Sequence, residues 1–555
     1  MNLNLSLEQA DGTGRKKHYT VKYIDFDDVS NNTFHVVSQL KIKGVNESCI
    51  PDLIIYINGI PVVVIECKSP FKEMESDVKS GKKDGYEQLR RYMNLRGAAD
   101  DEGIDKLFHT NFMTGIFNKY HGYVGTISSK YNHYLEWKDP YPFKKSDIEE
   151  VENNGQNLFI QGILEKENLL KIMQHFILFE EEGGKKIKKV ARYQQFRAVN
   201  KALARIESGK TPLERGGVIW ATQGSGKSLS MVMLARMIRR MASLKDSTIV
   251  VITDRVDLDK QIYDTFCRVF PELTLAAKEE DKLLVRAKSV KSMKALLEKA
   301  QPKIIMTTLH KFQSEKSDKV IFEDDHQNGD LYFEEDIEIL SNKANIIVMT
   351  DEAHRSQYSS LAQNMRMALP NAAFIGFTGT PIEKDDKDTY RTFGKKIDQY
   401  TLSEAVEDGA TVGILYEGRK PELQIKVDTL EDVFSETFSE YTEEERESIK
   451  QKYANKQAIA EADERIDEIA KDLLKHYKDN IYPNGFKAQI VCVSRRACVK
   501  YYDALNKHMS EVFEEPLDVK VIYSCENNEQ PYLKAHRTTK PEQDEIINRF
   551  NNNKA

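Results

Sequence analysis

The sequence predicts an α/β protein with a small mixed unit in front, a parallel-sheet domain behind it, and part of a further such domain at the end. Three observations carry that expectation. Between about 160 and 400, short β-branched runs alternate with helical stretches ("GGVIWAT", "STIVVITD", "PKIIMTT", "NIIVMTDEAH", "AAFIGFTGT"), the pattern of strands buried on both faces of a parallel sheet. Ahead of them, "TFHVVSQLKIK", "DLIIYI" and "PVVVIECK" crowd into residues 33–68 as a meander of strands. Behind them, a stretch from about 430 to 480 dense in Glu, Lys and Ala predicts helix solvated on one face, and "AQIVCVS" (488–494) and "DVKVIYS" (518–524) return to strand patterning. The expected divisions are 1–160, 161–400 and 401–555.

A chain of 555 residues with 40% hydrophobic content suffices for roughly three or four domains of ordinary size. Its net charge of -7 argues against a protein that coats nucleic acid by bulk attraction, and leaves room for a local basic groove. The six cysteines are scattered with no C-x-x-C pair, as expected of reduced thiols in a cytoplasmic protein without a zinc site. "MNLNLSLEQADGTGRKKHYT" lacks the apolar core of a signal peptide. No run approaches the roughly 20 apolar residues of a membrane span, so no membrane partner is expected.

In the front unit, "PDLIIYINGIPVVVIECKSP" (51–70) reads as two apolar strands joined at Asn58-Gly59, a two-residue hairpin signal. Asp52 heads the first strand, and Glu66 and Lys68 end the second. Residues 66 and 68 share one face because side chains alternate along a strand, while Cys67 turns the other way. Taken alone, the three charges read better as a buried or edge salt bridge, Glu66 with Lys68 or Asp52 with either, than as a site. A charged helix, about 73–95, follows. Gln88 and Tyr92 lie four apart on one of its faces, and Lys79, Lys82, Lys83, Arg90, Arg91 and Arg96 form a basic strip suited to phosphates or to solvent. "GYVGTI" (122–127) is expected as another strand of this unit.

In the second division, "TQGSGKS" (222–228) stands between the strand "GGVIWA" and the helical "LSMVMLARMIRRM". Strand, Gly-rich loop and helix together make a phosphate cradle. Gly224 and Gly226 let backbone N–H groups of Thr222, Gln223 and Ser225 approach phosphate oxygens, and the helix N-terminus adds its dipole. Lys227 reaches the β- and γ-phosphates of ATP, and Ser228 ligates Mg²⁺. Ala221 stands where the general pattern has its first Gly. "IIVMTDEAHRS" supplies the complement: Asp351 for the Mg²⁺ shared with Ser228, Glu352 to polarise the attacking water, and His354 to couple the site to its surroundings.

These residues carry a family resemblance. "TDEAH" resembles motif II of superfamily 2 helicases and translocases, which have RecA-like domains. "GFTGTP" (376–381), with Thr378, Gly379 and Thr380, resembles the motif that couples nucleotide state to nucleic-acid contact. "TDRVDLDKQ" (253–261) and "TTLHKF" (307–312) resemble strand-contacting motifs. "RYQQF" (192–196) resembles the glutamine motif that reads adenine, with Gln194 the better fit of its two glutamines.

The pattern P-D-x₁₃-E-x-K formed by Asp52, Glu66 and Lys68 resembles the PD-(D/E)xK nuclease core, and Gln88 with Tyr92 resembles the Q-x-x-x-Y accessory motif of its RecB-like branch. Phosphodiester hydrolysis needs a divalent metal to stabilise charge and to lower the pKa of an attacking water. Mg²⁺ takes oxygen ligands, which Asp52 and Glu66 supply. The resemblance gives Lys68 the task of orienting or activating the water. Related nucleases carry a further acidic residue on a helix before the first strand; here about thirty mostly polar residues precede "TFHVV", and Glu8 is a poor candidate.

A nuclease core followed directly by a superfamily 2 motor resembles the R subunit of type I restriction-modification enzymes. The resemblance implies an ATP-dependent translocase and endonuclease that joins methyltransferase (M) and specificity (S) subunits and cuts unmethylated double-stranded DNA away from the recognition site. The second motor lobe begins at "AQIVCVSRRACVKYYDAL", and nothing in the sequence resembles its later motifs. Weak ATP hydrolysis and no translocation are therefore expected of this chain alone. The competing readings are a superfamily 2 helicase fragment with a non-catalytic DNA-docking domain in front, and an RNA helicase.

Overall fold

The computed structural model describes residues 2–8, 16–70, 80–98, 101–148, 154–182, 184–253, 256–270, 273, 282–287, 289–299, 302–308, 339–353, 365–381, 383–384, 387–419, 460–524 and 530–552. They fall into two compact units, Met1–Gly413 and Ile414–Ala555.

The first unit opens with a hairpin, β1 (Asn2–Glu8) and β2 (Lys16–Lys22), where related nucleases are expected to carry a helix. A six-stranded sheet follows: β3 (Phe34–Ser38), β4 (Leu53–Ile57), β5 (Ile60–Cys67), β6 (Met113–Phe117), β7 (Gly122–Gly125) and β8 (Leu135–Glu136), in that spatial order. All neighbours are antiparallel except β5 and β6. That parallel pair requires a crossover, which helix α1 (Ser80–Tyr92) provides. The β4–β5 hairpin turns at Asn58-Gly59, both in the left-handed region (φ 51° and 79°), as a two-residue turn matched to strand twist demands. Alternation then sorts the side chains. Ile54, Val64 and Ile116 pack under Tyr86, Leu89 and Tyr92 of α1, while Ile55, Val63, Ile65 and Phe117 join a core on the opposite face.

That second core runs on into the motor domain through Phe159, Phe176 and Phe196, so sheet and motor share one continuous apolar interior. Hairpin β9–β10 (Ile177–Glu182, Lys185–Val190) leads to helix α2 (Tyr193–Ser208). Next come β11 (Gly217–Ala221), α3 (Lys227–Arg240), β12 (Thr248–Thr253), α4 (Val256–Val269), β13 (Leu284–Arg286), α5 (Val290–Lys299), β14 (Ile304–Thr308), β15 (Ile346–Asp351), β16 (Ala373–Thr378) and β17 (Lys396–Tyr400). The seven strands form one all-parallel sheet in the order β13-β14-β12-β15-β16-β11-β17. Every residue of β12, β14, β15 and β16 is buried, which explains their continuous apolar runs.

In the second unit, helices α6 (Asp463–His476) and α7 (Arg495–Val512) pack through Ile466, Ala470 and Leu474 against Ala504, Leu505 and Met509. Helix α8 (Lys540–Asn552) follows. The helix expected over 430–480 is observed in its later part; residues 430–459 lie outside the described residues. The two runs expected as strands, 488–494 and 518–524, differ from expectation: neither pairs with a strand among the described residues, and Val491 and Val493 are 87% and 65% exposed. Apolar β-branched residues supply a face, but a strand also needs a neighbour for its N–H and C=O groups.

Candidate functional site

The first site lies where β4 and β5 meet helix α1. Leu53 pairs with Ile65, so Asp52 and Glu66 stand opposite each other at the end of the antiparallel ladder, on the face toward α1. Lys68 Nζ donates to Glu66 Oε1 at 2.8 Å. Asp52 is held at both oxygens: Oδ2 accepts from the Cys67 backbone N–H at 2.8 Å and Oδ1 from Gln39 Nε2 at 2.6 Å. On α1, Gln88 Nε2 donates to the Tyr92 hydroxyl at 3.0 Å, which itself donates to the Ile50 carbonyl at 3.1 Å. The Q-x-x-x-Y pair thereby ties the helix to the chain entering β4.

Burial pushes the Glu66 carboxyl above its ordinary value, against the opposing pull of Lys68, and pushes the Tyr92 phenol up to about 12. Glu66 Oε2 is buried with no hydrogen-bond partner. An orphaned carboxylate oxygen beside a second carboxylate fits a hard divalent cation. Among the described residues no group of three or more His, Cys, Asp or Glu side chains gathers as a metal shell. Two carboxylates are nevertheless enough for Mg²⁺, which keeps water and substrate phosphate among its ligands. Of the basic strip, Arg91 pairs with Glu47 and Arg96 with Glu102, and Lys79 lies outside the described residues.

The second site lies at the carboxyl ends of the central parallel strands. The loop after β11 runs through Thr222, Gln223, Gly224, Ser225 and Gly226 into α3, which begins at Lys227 and Ser228. Gly224 and Gly226 take φ 79° and 86°, which L side chains rarely adopt. A Cβ on Gly226 would meet Gln195 Nε2 at 2.4 Å. From β15, Asp351 Oδ1 is buried without a partner, and Glu352 Oε1 lies 3.4 Å from Lys227 Nζ. Burial, then the Glu352 charge, raises the Asp351 carboxyl above its ordinary value, offset by Lys227. Glu352 itself sits at φ 49°, a conformation uncommon outside glycine and concentrated at functional sites. Thr378 ends β16, and Gly379 and Thr380 follow it beside the loop: the Gly379 carbonyl accepts from Trp220 Nε1 at 3.0 Å, and Thr380 N–H donates to Thr378 Oγ1 at 3.2 Å. His354 lies outside the described residues.

The two glutamines of "RYQQF" do different things. Gln195 Oε1 accepts from the Arg192 backbone N–H, capping α2, while its Nε2 donates to the Gly226 carbonyl at 3.1 Å. Its position three residues into the helix was the available signal for that cap. Gln194 is buried with both amide atoms unpartnered, lining a small cavity with Lys227, Asp398 and Tyr400. A cluster that the motifs did not flag ties the chain leaving the first sheet to the motor. Arg197 binds Asp398 through Nε and Asp139 through a terminal nitrogen, and Lys201 Nζ reaches Asp398 at 2.7 Å.

These geometries describe a nuclease-type sheet joined to a P-loop ATPase. Comparison with known proteins agrees. Residues 4–133 match the family described as type I restriction enzyme R protein N terminus, and 194–447 match SWI2/SNF2 ATPase. The HindI type I restriction enzyme endonuclease subunit of Haemophilus influenzae is 31% identical over 97% of this chain and 49% of its own length. The MjaIXP counterpart from Methanocaldococcus jannaschii is 30% identical over the same shares, and the SsaAORF53P subunit of Staphylococcus saprophyticus 26% over 96% and 50%. The chain belongs to the family of type I restriction enzyme R subunits, and spans about half the length of the curated relatives it matches. That family implies use of a nucleotide and a divalent metal. Among the described residues no helix is long and apolar enough to cross a membrane.

Proposed function

We propose that this chain is the ATP-driven DNA translocase and endonuclease subunit of a type I restriction enzyme, acting in the cytoplasm with M and S subunits. Its substrate would be unmethylated duplex DNA, cut away from the recognition site. Its proposed parts are a nuclease domain (1–160), a first RecA-like motor domain (161–400) and part of a second (401–555). The observation that carries the cutting half is the facing pair Asp52 and Glu66, with Lys68 on Glu66 and one carboxylate oxygen buried and unpaired. Bound Mg²⁺ would supply Lewis-acid stabilisation and an acidified water. Asp52 and Glu66 would hold it, Lys68 would orient the water, and Gln88 with Tyr92 would fix the helix beside them. In the motor, Thr222 to Ser228 would bind the ATP phosphates, with Ser228 and Asp351 at the nucleotide's Mg²⁺. Glu352 would polarise the attacking water, and Gln194 would read the base. Thr378 to Thr380 would pass nucleotide state to the DNA-contacting surface.

The test is reconstitution with partner M and S subunits on unmethylated plasmid, with and without ATP. Asp52→Ala, Glu66→Ala and Lys68→Ala should each lower Mg²⁺-dependent cleavage by about 10²–10⁴-fold while leaving ATP turnover in place. Wild-type cleavage by all three variants would reduce the first domain to a DNA-docking platform.

A further inference from the structure

We infer that Gln39 is the positioning residue that sets the Asp52 carboxylate for its divalent ion; this rests on the nuclease reading above. Gln39 follows the edge strand β3 and is exposed at the rim of the site. Two bonds join it to Asp52. Its side-chain Nε2 donates to Oδ1 at 2.6 Å, and its backbone N–H donates to the Asp52 carbonyl at 3.1 Å. Its backbone lies at φ 52°, a left-handed conformation that a glutamine adopts only when its surroundings enforce it. A strained backbone and a short side-chain bond thus converge on the same carboxylate.

The chemistry of that bond suits a metal ligand. Oδ2 of Asp52 already accepts from the Cys67 N–H at 2.8 Å, so each oxygen takes one neutral N–H. Two such bonds stop rotation of the carboxylate and leave a lone pair on each oxygen for the ion. Neither bond spends the negative charge. Glu66 is different, since Lys68 sits on it, and Asp52 forms no ion pair among the described residues. Asp52 therefore brings the undiminished charge to the site, and Gln39 keeps it aimed.

Mn²⁺ tests this on the full 555-residue chain without nucleotide, because bound Mn²⁺ loses the six-line resonance of the free ion. Gln39→Met and Gln39→Asn remove the donor or its reach, and each should weaken Mn²⁺ binding about tenfold. Asn tolerates the left-handed conformation better than Gln, so the melting temperature of Gln39→Asn should hold or rise while its affinity falls. A merely structural role would move both together, and that result would overturn the inference. So would wild-type Mn²⁺ binding in both variants when Asp52→Ala abolishes it; the nuclease reading would then survive. Wild-type binding in Asp52→Ala and Glu66→Ala would instead sink the nuclease reading and this inference with it.

Discussion

Replacing Arg197 by Met should show how much of the junction between nuclease sheet and motor depends on one side chain. The Arg197 side chain is 14% exposed and answers two carboxylates, those of Asp398 (5%) and Asp139 (16%). Methionine keeps much of its aliphatic length, so the loss is chiefly polar. Asp398 retains Lys201 at 2.7 Å, whereas among the described residues Asp139 keeps only the Tyr141 N–H at 2.9 Å. Both charge-assisted interactions are lost, the one at Asp398 leaving Lys201 in place, and the bond to the Gln399 carbonyl disappears with them. Together these amount to about 3 kcal/mol, below the full cost of stranding a buried charge because Lys201 remains. Urea unfolding followed by tryptophan fluorescence reads this region directly. Both tryptophans, Trp137 and Trp220, lie in the first unit, and Trp137 Nε1 donates to the Asp139 carbonyl at 2.7 Å. Asp139→Asn should cost about 2 kcal/mol in the parent and little in the Arg197→Met background. A loss below about 1 kcal/mol for Arg197→Met, or full additivity of the two changes, would refute the claim that this pair clamps the junction.

Two further outcomes are expected. Gly226→Ala places a Cβ 2.4 Å from Gln195 Nε2 at φ 86°; left-handed strain of about 1–2 kcal/mol should lower nucleotide affinity about tenfold or more in a fluorescent-ATP titration, and unchanged affinity would contradict the loop geometry. In the second unit, His508 Nε2 and Nδ1 each lie 2.8 Å from a carboxylate oxygen, of Asp467 and Glu511, with Lys471 and Lys507 also on Asp467. Carboxylates only accept, so both ring nitrogens donate, and these bonds hold the imidazolium above its ordinary value. The resulting stability is fully present below the unfolded value of about 6.5 and is lost as pH rises through the folded one. Thermal melts of the α6–α7 pair should therefore occur at lower temperature at pH 9 than at pH 6, and His508→Leu should flatten that difference.

Much of the molecule was legible in local pattern. The Asn58-Gly59 hairpin, the buried strands of the parallel sheet and the strand-loop-helix around Gly224 and Gly226 all follow from short-range chemistry: turn residues, side-chain period and backbone freedom. The runs 488–494 and 518–524 show where pattern stops. Their residues favour strand, but ladder partners come from other parts of a chain, and here none is among the described residues.

Residue order alone establishes which side-chain types stand at which intervals, and so which chemistry could be assembled: two acids and a lysine, a phosphate loop, an acidic strand end. Three-dimensional packing sets residues 52 and 66 opposite each other, holds Glu352 at φ 49°, brings Gln195 rather than Gln194 onto the phosphate loop, and joins Asp139 to Asp398 through Arg197. The reason is range. Propensity and spacing act within a few residues, whereas these arrangements depend on strand register and on burial that brings together groups up to about two hundred positions apart.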